Sequence, residues 1–268
     1  LKRQPAVAGY FYPSSRDQLL QLIREYTHEE LNKVEAKAII SPHAGYQYSG
    51  PVAGAVFSSV VLPELIVLLG PNHREVPTVM AIYPEGSWLT PLGEVPIDKS
   101  LAHKIKERCS VIEESEEAHA YEHSLEVQLP FIQYFQSSAA IVPISISYYA
   151  SYPQLEELGM ALAEVIQAEE RPVLIVASSD MSHYVDAETA REKDFLAIGQ
   201  IEKLDARGLI EVVRRKDISM CGYLPTAVAL VAAKRLGAVK GELVKYQTSG
   251  DVTGDYNEVV GYAGIRIY

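Results

Sequence analysis

The sequence predicts an α/β fold: three α/β/α layers around a mixed central sheet, built as one continuous domain over residues 1–268. Three observations carry this expectation. Short, wholly apolar runs such as "LIVLLG" (65–70) and "PVLIVA" (172–177) have the length and composition of strands buried on both faces. They alternate with longer segments whose apolar residues recur at helical spacing, which puts helices on both sides of a sheet. The later strand-like runs read as a hairpin and add antiparallel pairing, while no repeat, low-complexity run or Pro/Gly/Ser-rich linker divides the chain.

In order along the chain, "RDQLLQLIREY" (16–26) sets Leu19, Leu20 and Ile23 on one helical face. "KAII" (37–40) is a short strand running into "SPHAGYQYSG". "GPVAGAVFSSV" (50–60) is a helix whose Gly50, Ala53, Gly54 and Ala55 allow close packing, and "LIVLLG" is the next strand. "VMAIYP" (79–84) and "EVPID" (94–98) have strand composition, with the turn-rich "PEGSWLTPLG" between them. "KSLAHKIKERC" (99–109) is helical, with Ser100 as the expected cap. "SLEVQLPFIQYF" (124–135) carries Leu125, Leu129 and Ile132 at helical spacing, and Pro130 is expected to kink or restart that helix. "AAIVPISIS" (139–147) is a strand, and "YPQLEELGMALAEVI" (152–166) is an amphipathic helix with Leu155, Leu158, Leu162 and Val165 on one face. After the strand "PVLIVA" come helices "ETAREKDFLAIGQIEKL" (188–204) and "PTAVALVAAKRL" (225–236); "GELVKYQTS" (241–249) and "VVGYAGIRIY" (259–268) close the chain as strands.

Composition narrows the function classes. Hydrophobic residues are 48% and charged residues 22%, as in an ordinary globular protein. A net charge of −11 argues against a nucleic-acid groove or an anionic membrane surface, both of which need clustered Lys and Arg. No apolar run approaches membrane-spanning length, and "LKRQPAVAGYFYP" lacks the apolar stretch of a signal peptide, so a cytoplasmic location is expected. Cys109 and Cys221 are too few for a disulfide framework and are expected to stay reduced.

Three strands share one feature. "KAII" is followed by Ser41, Pro42 and His43; "LIVLLG" by Pro71, Asn72 and His73; "VLIVA" by Ser178, Ser179, Asp180, Met181, Ser182 and His183. Ligands of open α/β sheets bind beyond the carboxyl ends of the strands. Loops leaving neighbouring strands there can gather three imidazoles, which ligate metals and titrate near neutral pH. A lone histidine after a strand is ordinarily a loop residue or a satisfied polar group; three at equivalent places are the signal, although they form no local motif such as H-E-x-x-H.

Other segments add candidates. "AYEHSLEVQ" puts Glu122 and His123 at an expected helix start, where an acidic residue is equally well explained as a cap. "ISMCGYLPTAV" puts Cys221 just before a helix, where a thiolate, the metal-binding form, is favoured; the alternative is a small buried hydrophobe. Cys109 reads as packing, His28 and His103 as surface residues, and His119, in the acidic "EESEEAHAYE", as part of an exposed loop. "TSGDVTGDY" (248–256) lacks the Lys of a P-loop and reads as a tight turn bordering the site. No G-x-S-x-G elbow is present, which leaves a serine hydrolase without support.

Taken together, "PAVAGYFYP", "SPHAGYQYSG", "LLGPNHRE", "EHSLEVQLPF", "SSDMSHY", "CGYLP" and "SGDVTGDYNEVVGYAG" resemble the Memo family, in the family's order and over nearly the whole chain. That family is similar in fold to the class III extradiol dioxygenases, which use non-haem Fe(II). The resemblance implies that His43 and His73 stand where those enzymes carry iron-ligating histidines, and that Cys221 stands where they carry a glutamate ligand. It implies an acid/base role for His183, oriented by Asp180, and a second active-site histidine in His123. Arg74 and Glu75 depart from the pattern, with a bulky charged pair where a smaller or less charged residue is expected.

Two readings of function follow. One is a metal-dependent oxidoreductase of unknown substrate, with Fe(II) as the leading metal. Replacing a carboxylate ligand by thiolate softens the site and keeps copper and zinc in play, and it exposes a thiolate to oxidation. The other is a non-catalytic metal- or peptide-binding scaffold. Resemblance to Memo proteins implies roles in signalling and motility, phosphotyrosine-peptide recognition and metal binding. Microbial relatives accompany a radical-SAM protein and an AMMECR-type protein. A phosphopeptide would need a local cation such as Arg74, because the overall charge repels it. A zinc hydrolase using activated water is a third reading of the same ligands.

Overall fold

The structure is a computed structural model that describes residues 1–29, 32–74 and 76–268. Its elements are β1 (Lys2–Arg3), α1 (Arg16–Tyr26), β2 (Ala38–Ser41), α2 (Tyr46–Ser58), β3 (Leu65–Pro71), β4 (Met80–Ile82), β5 (Ser87–Thr90), β6 (Gly93–Pro96), α3 (Lys99–Arg108), β7 (Glu113–Glu114) and α4 (Glu117–Ala120). A 3-10 turn (Glu126–Gln128) leads into α5 (Leu129–Phe135), β8 (Ala140–Ile146), α6 (Tyr152–Ala168), β9 (Val173–Ser178) and β10 (His183–Val185). Then come α7 (Ala187–Glu202), α8 (Ala206–Arg215), α9 (Tyr223–Arg235), β11 (Gly241–Thr248), α10 (Gly250–Thr253) and β12 (Val259–Ile267).

The main sheet runs β10-β12-β2-β9-β3-β8-β4-β7, with β11 also paired to β12. Its centre, β2-β9-β3-β8, is parallel, whereas β12 joins β2, and β4 joins β8, antiparallel. The sheet is therefore mixed, as expected. Alternation along the central strands assigns the layers. Leu65, Val67 and Leu69 of β3 face one core with α3, α6, α7, α8 and α9. Ile66 and Leu68 face the other, with α1, α2 and α5. Because both faces are covered, these strands read as continuous apolar runs rather than as alternating ones. No helix of the described residues is long and apolar enough to cross a membrane.

Several local expectations change. The turn-rich 84–93 stretch contains β5, which pairs with β6 and β1 in a separate three-stranded sheet. Asp98, not Ser100, caps α3, accepting from the Leu101 amide at 2.8 Å. Pro130 restarts rather than kinks: it sits in the first turn of α5, where its missing N–H leaves no helical bond unmade. Helix α8, capped by Asp205, adds to the helices expected from periodicity.

Tyr184 is one of few non-glycine residues in the left-handed region, with φ of 58°, at a register shift between β10 and β12. That conformation costs an L-residue roughly 1–2 kcal/mol.

Candidate metal centre

Strands β2, β9 and β3 are neighbours and parallel, so their carboxyl ends open on one edge of the sheet. The chain leaving them delivers His43, Asp180 and His73 to that edge. Gly70, near the end of β3, lies so close to Leu125 and Ser124 that an added Cβ would sit 2.6 Å from Leu125 Cδ2. This contact draws the segment carrying Glu122 and His123 onto the same edge. The stretch before α9 supplies Cys221. A Cβ at Gly222 would collide with the Ser178 carbonyl and the Ser179 side chain, so a glycine there lets Cys221 seat on the end of β9.

Ligand atoms of His43, His73 and Cys221 all lie within 4.8 Å of one another. Hydrogen bonds fix how the imidazoles are presented. Ser178 Oγ donates to the Ser124 carbonyl at 2.7 Å. Its proton is thereby committed, and it accepts from His43 Nδ1 at 2.9 Å. His43 is therefore the Nδ1–H tautomer, with the lone pair of Nε2 facing Cys221 Sγ at 3.2 Å. His73 Nδ1 donates to Glu122 Oε1 at 2.9 Å, which likewise leaves its Nε2 free. Metal-ligating histidines are ordinarily pinned in this way through their second nitrogen.

The donor set fits a metal. Bond lengths of about 2.05 Å to imidazole and about 2.3 Å to sulfur place two ligands of one ion roughly 3.1 Å apart at a right angle and roughly 3.5 Å apart at a tetrahedral angle. The separation of 3.2 Å between His43 Nε2 and Cys221 Sγ falls between these. Two histidines and a thiol are borderline-soft donors, suited to iron, copper or zinc.

Charge states follow from burial. Desolvation, with His73 and His183 adding to it, lowers His43 to about 3. Desolvation, with His43 close by, lowers His123 to about 4. Both imidazoles are neutral at pH 7 and carry usable lone pairs. Burial opposes ionisation of Glu122, yet the bond from His73 and the charges around it hold this carboxyl below its ordinary range. Burial, reinforced by Asp180, pushes the Cys221 thiol well up. Position before α9 is therefore not enough by itself to favour the thiolate, because desolvation opposes the partial charge at the helix start. Metal binding at Cys221 would release a proton.

The other expected residues also meet here. His123 stacks on His73 with ring centroids 4.8 Å apart, and the Phe11 ring packs against it at 4.7 Å. Asp180, His183 and Cys221 form a second group with ligand atoms within 4.8 Å. The orienter of His183 differs from expectation. Its Nδ1 donates to the Ser219 carbonyl at 2.7 Å, which leaves Nε2 with its lone pair. Asp180 Oδ1 instead accepts from the His43 backbone amide at 2.8 Å. A cavity of about 590 Å³ opens over the cluster, bordered by His43, His73, His123 and His183 and by Ser249, Thr253 and Asp255 of the expected turn. Arg74 does not line it; its Nε donates to the Tyr121 carbonyl at 3.2 Å. Glu75 lies outside the described residues.

Two assignments are corrected. Glu122 caps no helix: α4 ends at Ala120, and the 3-10 turn begins at Glu126. Glu122 is buried and accepts from the amides of His73 (2.6 Å) and Ser124 (2.9 Å) as well as from the His73 ring. With both oxygens engaged, it orients His73 rather than joining a metal itself. His119 is not in an exposed loop but in the core, 5.6 Å from the Trp88 ring, its Nε2 donating to the Ala81 carbonyl at 3.0 Å. Spacing gives no sign of Ser178 or Gln128 as supports, although Gln128 Nε2 donates to Ser178 Oγ at 2.8 Å. Glu122→Gln is expected to weaken metal binding about 10- to 100-fold, the usual effect of losing an outer partner. Competition with a chelator measures this; unchanged affinity would remove Glu122 from the site.

The family profile described as "Memo-like protein" matches residues 3–266. A MEMO1 family protein of Methanopyrus kandleri is 41% identical over 99% of this chain and 98% of its own length. Another, of Aquifex aeolicus, is 44% identical over 98% of each chain. The crystal structure of an uncharacterized protein from Escherichia coli K12 matches at a TM-score of 0.58, over 87% of this chain and 100% of that one. At 13% identity this is a likeness of fold alone.

Proposed function

The chain belongs to the Memo family, and from that premise we propose that it is a metal-dependent oxidoreductase acting on a small molecule held over His43, His73 and Cys221. The observation that carries this reading is the convergence of these three donors, with both imidazoles pinned through Nδ1. Iron as Fe(II) is the first choice of metal, with copper or zinc as alternatives on softness. A bound iron or copper ion would supply the one-electron chemistry that lets dioxygen react with an organic molecule.

The chain's own groups do the rest. His183 Nε2 is free to take a proton from a substrate hydroxyl, because Nδ1 is committed to Ser219. His123, kept neutral and stacked on His73, is a second proton carrier at the cavity wall. Asp180 holds the backbone of His43 and brings a carboxyl oxygen within 4.8 Å of the ligand atoms of His183 and Cys221. Phe11 and buried Tyr262 both line the cavity and narrow the space open to water.

Protein purified without oxygen is expected to carry near-stoichiometric iron or copper and to consume dioxygen with an aromatic or thiol reductant. His183→Ala should keep the metal and slow oxygen uptake about 100-fold or more, the range for a lost acid/base group. Metal lost from that variant would make His183 a ligand instead. A parent protein that binds no metal, even after anaerobic reconstitution, would sink the reading.

A further inference from the structure

One fully buried carboxyl group takes no part in the metal centre. Asp194 lies midway along α7, and its hydrogen-bond donors are all neutral. Oδ1 accepts from the Ser182 amide at 2.9 Å and from the Ser182 hydroxyl at 2.6 Å, and Oδ2 accepts from the Tyr246 hydroxyl at 2.7 Å. Burial pushes this carboxyl up, against the bonds from Ser182 and Tyr246. A carboxyl held in the core by neutral donors is costly, and such groups gather at functional sites.

The fold reserves room for it. A Cβ at Gly261 of β12 would sit 2.1 Å from Asp194 Oδ2, so a glycine there admits the side chain. Gly261 also closes the other side of the same segment. Its amide donates to the Ser182 carbonyl at 2.9 Å, and its carbonyl accepts from the Met181 amide at 2.8 Å. Every polar atom of Ser182 is thereby committed to α7 or β12. The next residue is His183, whose amide and Nδ1 both bond to Ser219 at 2.7 Å. Ser219 lies in the connection between α8 and α9, and β10, which begins at His183, is three residues long and shifts register against β12. A bond between two connections fixes their separation but not their place over the sheet; the bonds of Ser182 to α7 and β12 fix the place.

We infer that Asp194 is a positioning residue for His183: by clamping Ser182 onto α7 it sets where the imidazole stands at the cavity wall. This deepens the proposed acid/base role of His183 and rests on that role only for turnover, since the position of the ring is read without any reaction.

The test is the tautomer of His183, followed by nitrogen NMR of histidine-labelled, full-length protein at about pH 8.5, above the ordinary imidazole range. The protein is loaded with zinc, which is diamagnetic, or used metal-free if none binds. Loss of its resonance in His183→Ala assigns the ring. The parent is expected to show the Nδ1–H form that the Ser219 carbonyl requires. Asp194→Ala should free the ring from Ser219 and turn it largely to Nε2–H, the form that a neutral histidine side chain favours in water. Asp194→Asn should keep the parent tautomer, because its oxygen can take both Ser182 bonds while its NH2 group faces the Tyr246 hydroxyl. Tyr246→Phe is the structural control. It strips the other carboxyl oxygen and should lower the melting temperature while leaving His183 unchanged, since both Ser182 bonds go to Oδ1. If Asp194→Ala does not fold, Ser182→Ala removes one bond of the pair and takes its place, with a partial change expected. The parent tautomer in the alanine variant, an Asp194→Asn variant that changes as the alanine variant does, or an equal change in Tyr246→Phe would overturn the inference. In the iron- or copper-loaded protein, Asp194→Ala should also slow oxygen uptake roughly 10- to 100-fold with metal content unchanged, the effect of a small misplacement. A parent that takes up no oxygen sinks the metal reading alone; the tautomer still decides this one.

Discussion

Alanine at His43, His73 or Cys221 is expected to lower metal affinity by well over 100-fold, more than any other single change at the site. Loss of an outer partner alone costs about 10- to 100-fold; loss of a donor removes the bond itself. Two readouts should agree. Metal retained after anaerobic loading and desalting should fall from near one per chain to near zero. The stabilisation that metal confers, about 2.7 kcal/mol at a hundredfold excess over Kd, should vanish. The variants should still fold when metal-free, because the strands delivering His43 and His73 are packed on both faces. Cys221→Ser is the sharper probe of metal identity, since it keeps the shape and replaces a soft donor with a hard one. Variants that gain as much thermal stability from metal as the parent would show that the ion binds elsewhere.

The largest stability effect is expected at Glu126, whose side chain is fully buried. Its side chain is 0% exposed and Arg3's is 3%, and Arg3 Nη1 meets Glu126 Oε2 at 2.7 Å. The same carboxylate accepts from the amides of Ala6 (2.7 Å) and Val7 (3.0 Å) and from the Tyr12 hydroxyl (2.7 Å). Burial, aided by this carboxylate, pushes the Tyr12 hydroxyl well above its ordinary range, so it stays a donor. Glu126→Ala strands a buried guanidinium and three further donors, and is expected to cost about 3–5 kcal/mol. The effect should reach the site. Arg3 also donates to the carbonyls of His119 and Glu122, both at 2.8 Å, and so ties the N-terminal segment to the wall that carries Glu122 and His123. Denaturant unfolding of Glu126→Ala, Arg3→Ala and the double variant gives the coupling between the two. A cost below about 1 kcal/mol for Glu126→Ala would mean that water replaces the lost carboxylate.

The layers and the outline of the site were legible because their signals are local. Apolar runs such as Leu65–Leu69 declare a doubly covered strand within a few residues. A histidine placed just past such a strand inherits the strand's position, so His43 and His73 could be named from their place in the chain, as could Asp180 beyond β9. The short strand β5 was hidden because its buried Ser87, Trp88 and Thr90 lie among turn-forming residues, and its partners β1 and β6 are not part of the main sheet.

What the amino-acid order determined by itself is the sheet, its helices and the set of residues carried to one edge, since periodicity and strand-end placement are properties of neighbouring residues. Only the tertiary structure decided the state and task of each group. Glu122 became the support of His73, His119 a core residue, Ser219 the orienter of His183 and Cys221 a thiol whose hold on its proton is strengthened by burial. The physical reason is that proton affinity and hydrogen-bond partnership depend on desolvation and on groups distant in the chain: Ser219 lies 36 residues from His183, and Cys221 lies 178 from His43.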